Sequence, residues 1–323
     1  MKHSLQRIFI FLIIISLVLV GCTKDPATVE IREKVEGKAD VIKVFVSFYP
    51  YYDFAQKVGG DNVQISTIVP AGTEPHSFEP SPKTIAKLEK ADIFIYNGLD
   101  MEPWLDKVLT LLEGKDIKLI DASKTVEVIY YDEEDHTGHN HEEEDHNHGQ
   151  YDPHIWVDPI NVINISQAIK EAFIDIDSAN KDVYESNYSS FKGDLEELDN
   201  AFIEGLKDAE ERKIIVSHSA FGYLAKRYNI EEIAIAGISP NAEPNPKRLA
   251  ELTEIARRNK INYVFFEALA NVKTAEILAD EAGLDILTLY NVEGLTDDQR
   301  NNGDDYISIM YDNLDTLKKA LVK

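Results

Sequence analysis

From residue 41 onward the apolar pattern of this chain keeps changing period, from runs that read as strands to spacings that read as helices. "VIKVFVSF" is a β-rich apolar run, and "YYDFAQKVG" has helical spacing that stops at Gly59. "VQISTIV" reads as a second strand, and "SPKTIAKLEKA" as a helix with Ser81 at its N-cap and Pro82 in its first turn. "DIFIYNG", "EPWLDKVLTLLEG" and "IKLIDAS" continue as strand, helix and strand. Parallel strands need crossovers, and helices supply them, so the alternation implies βαβ units and a mainly parallel sheet.

A long helical stretch interrupts this rhythm. Tyr184, Tyr188, Phe191, Leu195, Leu198, Phe202 and Leu206 are spaced 4, 3, 4, 3, 4 and 4, forming one apolar stripe. Gly193 and Gly205 weaken the stripe without ending it. Beyond it the alternation resumes. "KIIVSH", "IEEIAIAG", "INYVFFEA" and "LDILTLY" read as strands. "AFGYLAKRYN", "PNPKRLAELTEIARRNK" (Asn245 as N-cap) and "VKTAEILADEAG" read as helices, and "DDYISIMYDNLDTLKKALVK" as the last helix. The expected architecture is α/β: two lobes with mainly parallel sheets, joined by one long helix. The expected boundaries are 41–177 for the first lobe, 178–210 for the linking helix and 211–323 for the second lobe. Two such lobes offer a ligand site in the cleft between them, outside the carboxyl ends of the strands.

Residues 1–40 have other roles. Lys2, His3 and Arg7 precede "IFIFLIIISLVLVG", a short apolar run that reads as an export signal. It ends in "LVGC", and Cys22 is the chain's single cysteine, so no intrachain disulfide is expected. Small residues before this cysteine resemble the lipobox of bacterial lipoproteins. That resemblance implies a signal peptide of residues 1–21 and a lipid on Cys22, anchoring the protein outside the cytoplasm. Residues 22–40 are polar and aperiodic, and read as a flexible tether. The formal net charge of −25 repels nucleic acid, and no nucleic-acid partner is expected.

The chain has nine histidines, and six fall in "HTGHNHEEEDHNHGQYDPHIWVDP". His136, His139, His141, His146 and His148 belong to an acidic low-complexity run, about 132 to 150, that reads as a solvated loop able to bind metal weakly. His154 stands beside Ile155, Trp156 and Val157 at the edge of a folded region. His76 follows the strand "VQISTIV", His218 ends "KIIVSH", and Glu293 follows "LDILTLY". These four residues come two from each half. Three imidazoles and a carboxylate make a tetrahedral zinc set. Spacing alone does not establish that they converge, because a lone histidine near a strand end is ordinarily a hydrogen-bonded loop residue.

"VPAGTEPHSFEPSP", "DPHIWVDP", "SHSAFGYLAKRY", "ISPNAEPNPKRLAEL", "FFEALANVKTAEILADEAG" and "GLTDDQRNNGDDYISIMYDNLDTL" together resemble the zinc-binding solute-binding lipoproteins of bacterial ABC importers. The resemblance covers residue 42 to the end. It implies two Rossmann-like lobes joined by a rigid helix with metal between them, and it places His76, His154 and His218 at ligand positions. Manganese-binding relatives tend to carry Glu where His218 stands, and imidazole suits zinc better than manganese. Relatives often read "NPLEGLT" where this chain has Tyr290, Asn291, Val292 and Glu293, so Glu293 keeps the carboxylate while Asn291 or water is an alternative fourth ligand. Metal-bound histidines usually donate their second N–H to a carboxylate or carbonyl. Glu74, Glu79, Asp158 and Glu267 stand near the candidate ligands in these motifs, without assigned partners.

The expected function is capture of Zn²⁺ and its delivery to an ABC importer permease and its ATPase, by a monomer. The alternatives are a manganese-specific binding protein and a zinc hydrolase, which would need an open coordination position and a general base. A role in cell adhesion, assigned to related lipoproteins, has no residue here that argues for it.

Overall fold

The computed structural model describes residues 41–130, 151–238, 246–267 and 273–322. The expectations for Cys22, the export signal, the tether, Asn245 and the five loop histidines lie outside the described residues.

Strand β1 (Ile42–Val46) pairs in parallel with β2 (Val63–Thr67) on one side and β3 (Ile93–Tyr96) on the other, and β3 pairs in parallel with β4 (Lys118–Asp121). The second sheet repeats the plan, with β5 (Lys213–Val216) between β6 (Glu231–Ala234) and β7 (Tyr263–Phe266), and β7 beside β8 (Asp285–Thr288). The orders are therefore β2-β1-β3-β4 and β6-β5-β7-β8, both parallel. In each sheet the chain direction of successive crossovers reverses beside the first strand. This is the switch point at which such sheets leave a crevice at their carboxyl ends.

Helices α1 (Tyr49–Gly59), α2 (Pro82–Leu88) and α3 (Leu105–Leu112) serve the first sheet, followed by α4 (Pro159–Ile176) and the 25-residue α5 (Lys181–Gly205). The second half adds α6 (Gly222–Arg227), α7 (Pro246–Asn259), α8 (Lys273–Ala282), α9 (Asp297–Asn302) and α10 (Tyr306–Leu321). Ser81 caps α2 by accepting the Thr84 N–H at 3.2 Å, and Asp158 caps α4 through the Ile160 N–H at 2.8 Å. The short α9 is not among the helices expected from the periodicity. Its Thr296 and Gln299 form a capping box, a local signal independent of any apolar period.

Alternation along the strands gives each sheet two apolar faces. Phe94, Leu88 and Trp104 close the outer face of the first sheet, and Ile215, Val264 and Leu252 that of the second. The inner faces share one core. Val44, Val46, Ile214, Val216 and Phe265 belong to it, together with the stripe of α5: Tyr184, Phe191, Leu195, Leu198 and Phe202. Gly205, at the end of that stripe, meets α10 closely: a Cβ there would lie 3.0 Å from Leu314 Cδ1. Phe54 on α1 packs edge-on against Tyr306 of α10, with centroids 5.1 Å apart.

Trp156 is fully buried in this shared core, 4.9 Å from Phe48 by ring centroids. Its indole N–H donates to the Asn291 carbonyl at 2.6 Å, and its own carbonyl accepts the Tyr306 hydroxyl at 2.8 Å. One side chain thus ties the segment before α4 to the loop after β8. Trp156→Ala should cost about 3–5 kcal/mol of unfolding free energy, read by denaturant titration, because it leaves a cavity and an unpaired carbonyl.

Candidate metal centre

His76 lies in the 3₁₀ turn Pro75–Ser77, in the connection from β2 to α2. The Glu74 carboxylate shapes that turn, accepting the His76 N–H at 2.6 Å, the Ser77 N–H at 3.1 Å and the Ser77 hydroxyl at 2.8 Å. His154 precedes the 3₁₀ turn Ile155–Val157 that leads into α4. Asn97, buried just after β3, donates to the Pro153 carbonyl at 2.9 Å and holds this segment from the first sheet. The Tyr223 hydroxyl donates to the Asp152 carbonyl at 3.0 Å from the second half of the chain. His218 follows β5 by two residues, and the Glu232 carboxylate accepts the N–H groups of Ala220 and Phe221, just beyond it, at 3.1 and 2.9 Å.

These three imidazoles meet. One ring nitrogen from each of His76, His154 and His218 lies within 4.8 Å of the other two. The Nε2 atoms of His76 and His154 are 3.2 Å apart. Two Zn–N bonds at a tetrahedral angle separate their nitrogens by about 3.3 Å, so the pair already has the spacing of two ligands on one ion. His154 and His218 are fully buried and His76 is half-buried.

Each buried ring is backed by a carboxylate. Asp152 Oδ1 accepts from the His154 N–H at 2.9 Å and lies 2.9 Å from its Nδ1, which fixes the tautomer and leaves Nε2 as the free donor atom. His218 Nδ1 sits in ion-pair range of the Glu267 carboxylate without the alignment of a hydrogen bond, while its Nε2 is buried with no hydrogen-bond partner. Glu267 immediately follows β7 and also accepts from the Ser217 hydroxyl and, at 3.3 Å, the His218 N–H.

Glu293 reaches the same region from the loop after β8. It is 3 % exposed, its Oε2 has no hydrogen-bond partner, and one of its oxygens groups with Glu74 and His76 rather than with the three imidazoles. Just before it, buried Val292 holds φ at 59°, a conformation costing a β-branched residue about 1–3 kcal/mol, so surrounding contacts over-determine this loop. The Glu293 N–H donates to Asn291 Oδ1 at 3.4 Å, and Asn291 donates to Glu267 at 3.4 Å.

The electrostatics favour a cation. Burial pushes His76 down to about 2, reinforced by its two imidazole neighbours. Burial also lowers His154, and Asp152 opposes it. For His218 burial again disfavours the charge, but Glu267, Glu293 and Glu232 together outweigh it and push the imidazole up to about 9. Burial raises Glu293 to about 8. A buried carboxyl group with one unpartnered oxygen, beside two imidazoles held neutral and a third drawn up by carboxylates, is a donor set that a divalent ion would satisfy.

Of the carboxylates near the motifs, Glu267 backs His218, and Glu74 shapes the His76 turn. Glu79 pairs with Lys107 at 3.7 Å on the surface, and Asp158 pairs with Arg227 while capping α4. Asp152 was not among them, although its place two residues before His154 is the signal that marks it. Asn97 carried no sequence signal, since its partner is a main-chain carbonyl far away in the chain.

Residues 44–320 match the family described as "Zinc-uptake complex component A periplasmic". The chain is 37 % identical over 305 residues to the zinc-binding lipoprotein AdcA of Streptococcus pneumoniae, covering 94 % of this chain and 59 % of that protein. It therefore spans less than two thirds of that relative. It is 34 % identical over 313 residues to the high-affinity zinc uptake system protein ZnuA of Bacillus subtilis, with 97 % of each chain covered. The solved Zn(II)-bound ZnuA-like domain of Streptococcus pneumoniae AdcA superposes with a TM-score of 0.74 at 36 % identity, covering 88 % of this chain and 100 % of that one.

Proposed function

This chain belongs to the family of zinc-uptake component A, and we propose that it captures Zn²⁺ outside the cytoplasm and delivers it to the permease of an ABC importer. The observation that carries this reading is the convergence of His76, His154 and His218, two of them backed by buried carboxylates. In the proposal these three imidazoles and Glu293 hold one ion. Three imidazoles favour zinc over manganese, which prefers more oxygen. Donors drawn from loops of both sheets suit a cargo that must leave, since small relative movements of the two halves would break the set. On this reading zinc is cargo, and the protein does no chemistry on it. Cys22 carries the lipid that keeps the protein at the membrane, and the working unit is a monomer. Among the described residues no helix is long and apolar enough to cross a membrane.

The acidic segment with His136, His139, His141, His146 and His148 is proposed to hold extra zinc weakly and pass it on. Its flanks support this. Tyr130 and Tyr151 form an antiparallel bridge, and the Asp152 N–H donates to the Ile129 carbonyl at 3.0 Å, so the segment is rooted beside the carboxylate that backs His154. Fixing a site within such a run would cost about 1–2 kcal/mol per ordered residue, which argues for weak binding there.

Zinc and manganese titrations of the parent and of a variant lacking residues 132–149 test both parts. The parent should take one zinc tightly and prefer it to manganese, with weaker zinc sites beyond the first. The deletion variant should keep the tight site and lose the weak ones. Equal affinity for the two metals, or loss of the tight site in a folded deletion variant, would count against the assignment.

A further inference from the structure

Two donor groups overlap at His76. The inner group is the three imidazoles; the outer is one oxygen each of Glu74 and Glu293 with a ring nitrogen of His76, all within 4.8 Å of one another. The outer group has a second mark of a cation site. Glu293 Oε2 is buried without a hydrogen-bond partner, and such an atom costs free energy until a donor or a cation reaches it. Glu74 already accepts three hydrogen bonds, and a carboxylate has about four acceptor positions, so it retains capacity for an ion. Burial orders the two groups: Glu74 and His76 are half-buried, whereas His154 and His218 are fully buried.

We propose that Glu74, His76 and Glu293 form a second cation site, overlapping the first, through which a divalent ion passes between solvent and the three imidazoles. The proposal rests on the reading of the inner group as the zinc site. Two carboxylates and one imidazole hold zinc less tightly than three imidazoles and a carboxylate, but the half-buried Glu74 carboxylate at the solvent side draws a cation in. His76 and Glu293 remain ligands throughout. Glu74 is exchanged for His154 and then His218, so the ion is never without protein donors. Zinc accommodates this exchange by expanding from four to five ligands. Such a station lowers the barrier in both directions, so it changes rates and leaves their ratio alone.

The test is stopped-flow kinetics with zinc alone on the full mature protein, measuring association directly and release with an excess of chelator. Glu74→Gln keeps an oxygen acceptor for the His76 N–H but removes the charge. It should slow association and release in step, each by about tenfold or more. Ser77→Ala removes the hydroxyl that donates to Glu74 while keeping the carboxylate, and should retain the parent rates. Parent rates in Glu74→Gln would overturn the transit site. Slower association with unchanged or faster release would make Glu74 an equilibrium ligand or a remote attractor, which also overturns it. Equal slowing by Ser77→Ala would assign the effect to the shape of the turn instead. A parent protein with no tight zinc site would overturn the reading of the inner group, and the transit site with it, a result distinct from all of these.

Discussion

Alanine at position 218 is expected to weaken zinc binding by more than about a hundredfold, the upper end of what loss of a mere supporting carboxylate causes. His218 is the one imidazole of the group that comes from the second sheet, where it follows β5. Without it, His76 and His154 would hold the ion from one side, with only Glu293 opposite. The substitution also strands Glu267, a buried carboxylate whose ion-pair partner is the His218 ring. Competition against a chelator of known affinity measures the loss. An affinity within threefold of the parent would remove His218 from the site. A variant at any loop histidine, His139→Ala for instance, should leave the tight affinity unchanged.

The second large effect is on pH. A ligating imidazole must be neutral, so any proton it carries in the free protein competes with metal. His76 and His154 are held low by burial and carry no proton near neutrality. His218 is pushed up to about 9 by its carboxylate neighbours against the effect of burial, and Glu293 is raised to about 8 by burial. Both are raised, so both hold a proton in the free protein below those values, and zinc must displace it. Affinity should therefore climb with pH until about 9, not level off just above 6.5 as unperturbed histidines would dictate. One displaced proton corresponds to about tenfold per pH unit, so binding should weaken about a hundredfold or more from pH 8 to pH 6. Calorimetry in buffers of different ionisation enthalpy would count the protons released. Zero protons at pH 7.5, with flat affinity from pH 8 to 6, would contradict this electrostatic account.

The βαβ rhythm was legible because buried parallel strands and amphipathic helices impose different periods, and both periods survive in "VIKVFVSF" and in the stripe from Tyr184 to Leu206. The short α9 was not, because six residues carry too little period and its signal is a capping box at Thr296 and Gln299. The ligand candidates stood out as histidines at strand ends. Their convergence did not, since His76, His154 and His218 are brought together by two sheets and by tertiary hydrogen bonds such as Asn97 to Pro153. The carboxylates were harder still. Glu267 and Asp158 both sit beside motif residues, yet one backs His218 and the other pairs with Arg227, a difference that only packing decides. The strained Val292 before Glu293 likewise has no mark in the sequence, because a valine there reads as one more apolar residue.

Crystals of the zinc-loaded mature protein, measured just above and just below the zinc absorption edge, locate the bound ion directly. One dominant anomalous peak is expected, about 2.0–2.1 Å from a ring nitrogen of each of His76, His154 and His218, with a Glu293 oxygen completing the tetrahedron. A dominant peak elsewhere, or one at this place that His218 does not touch, would contradict it.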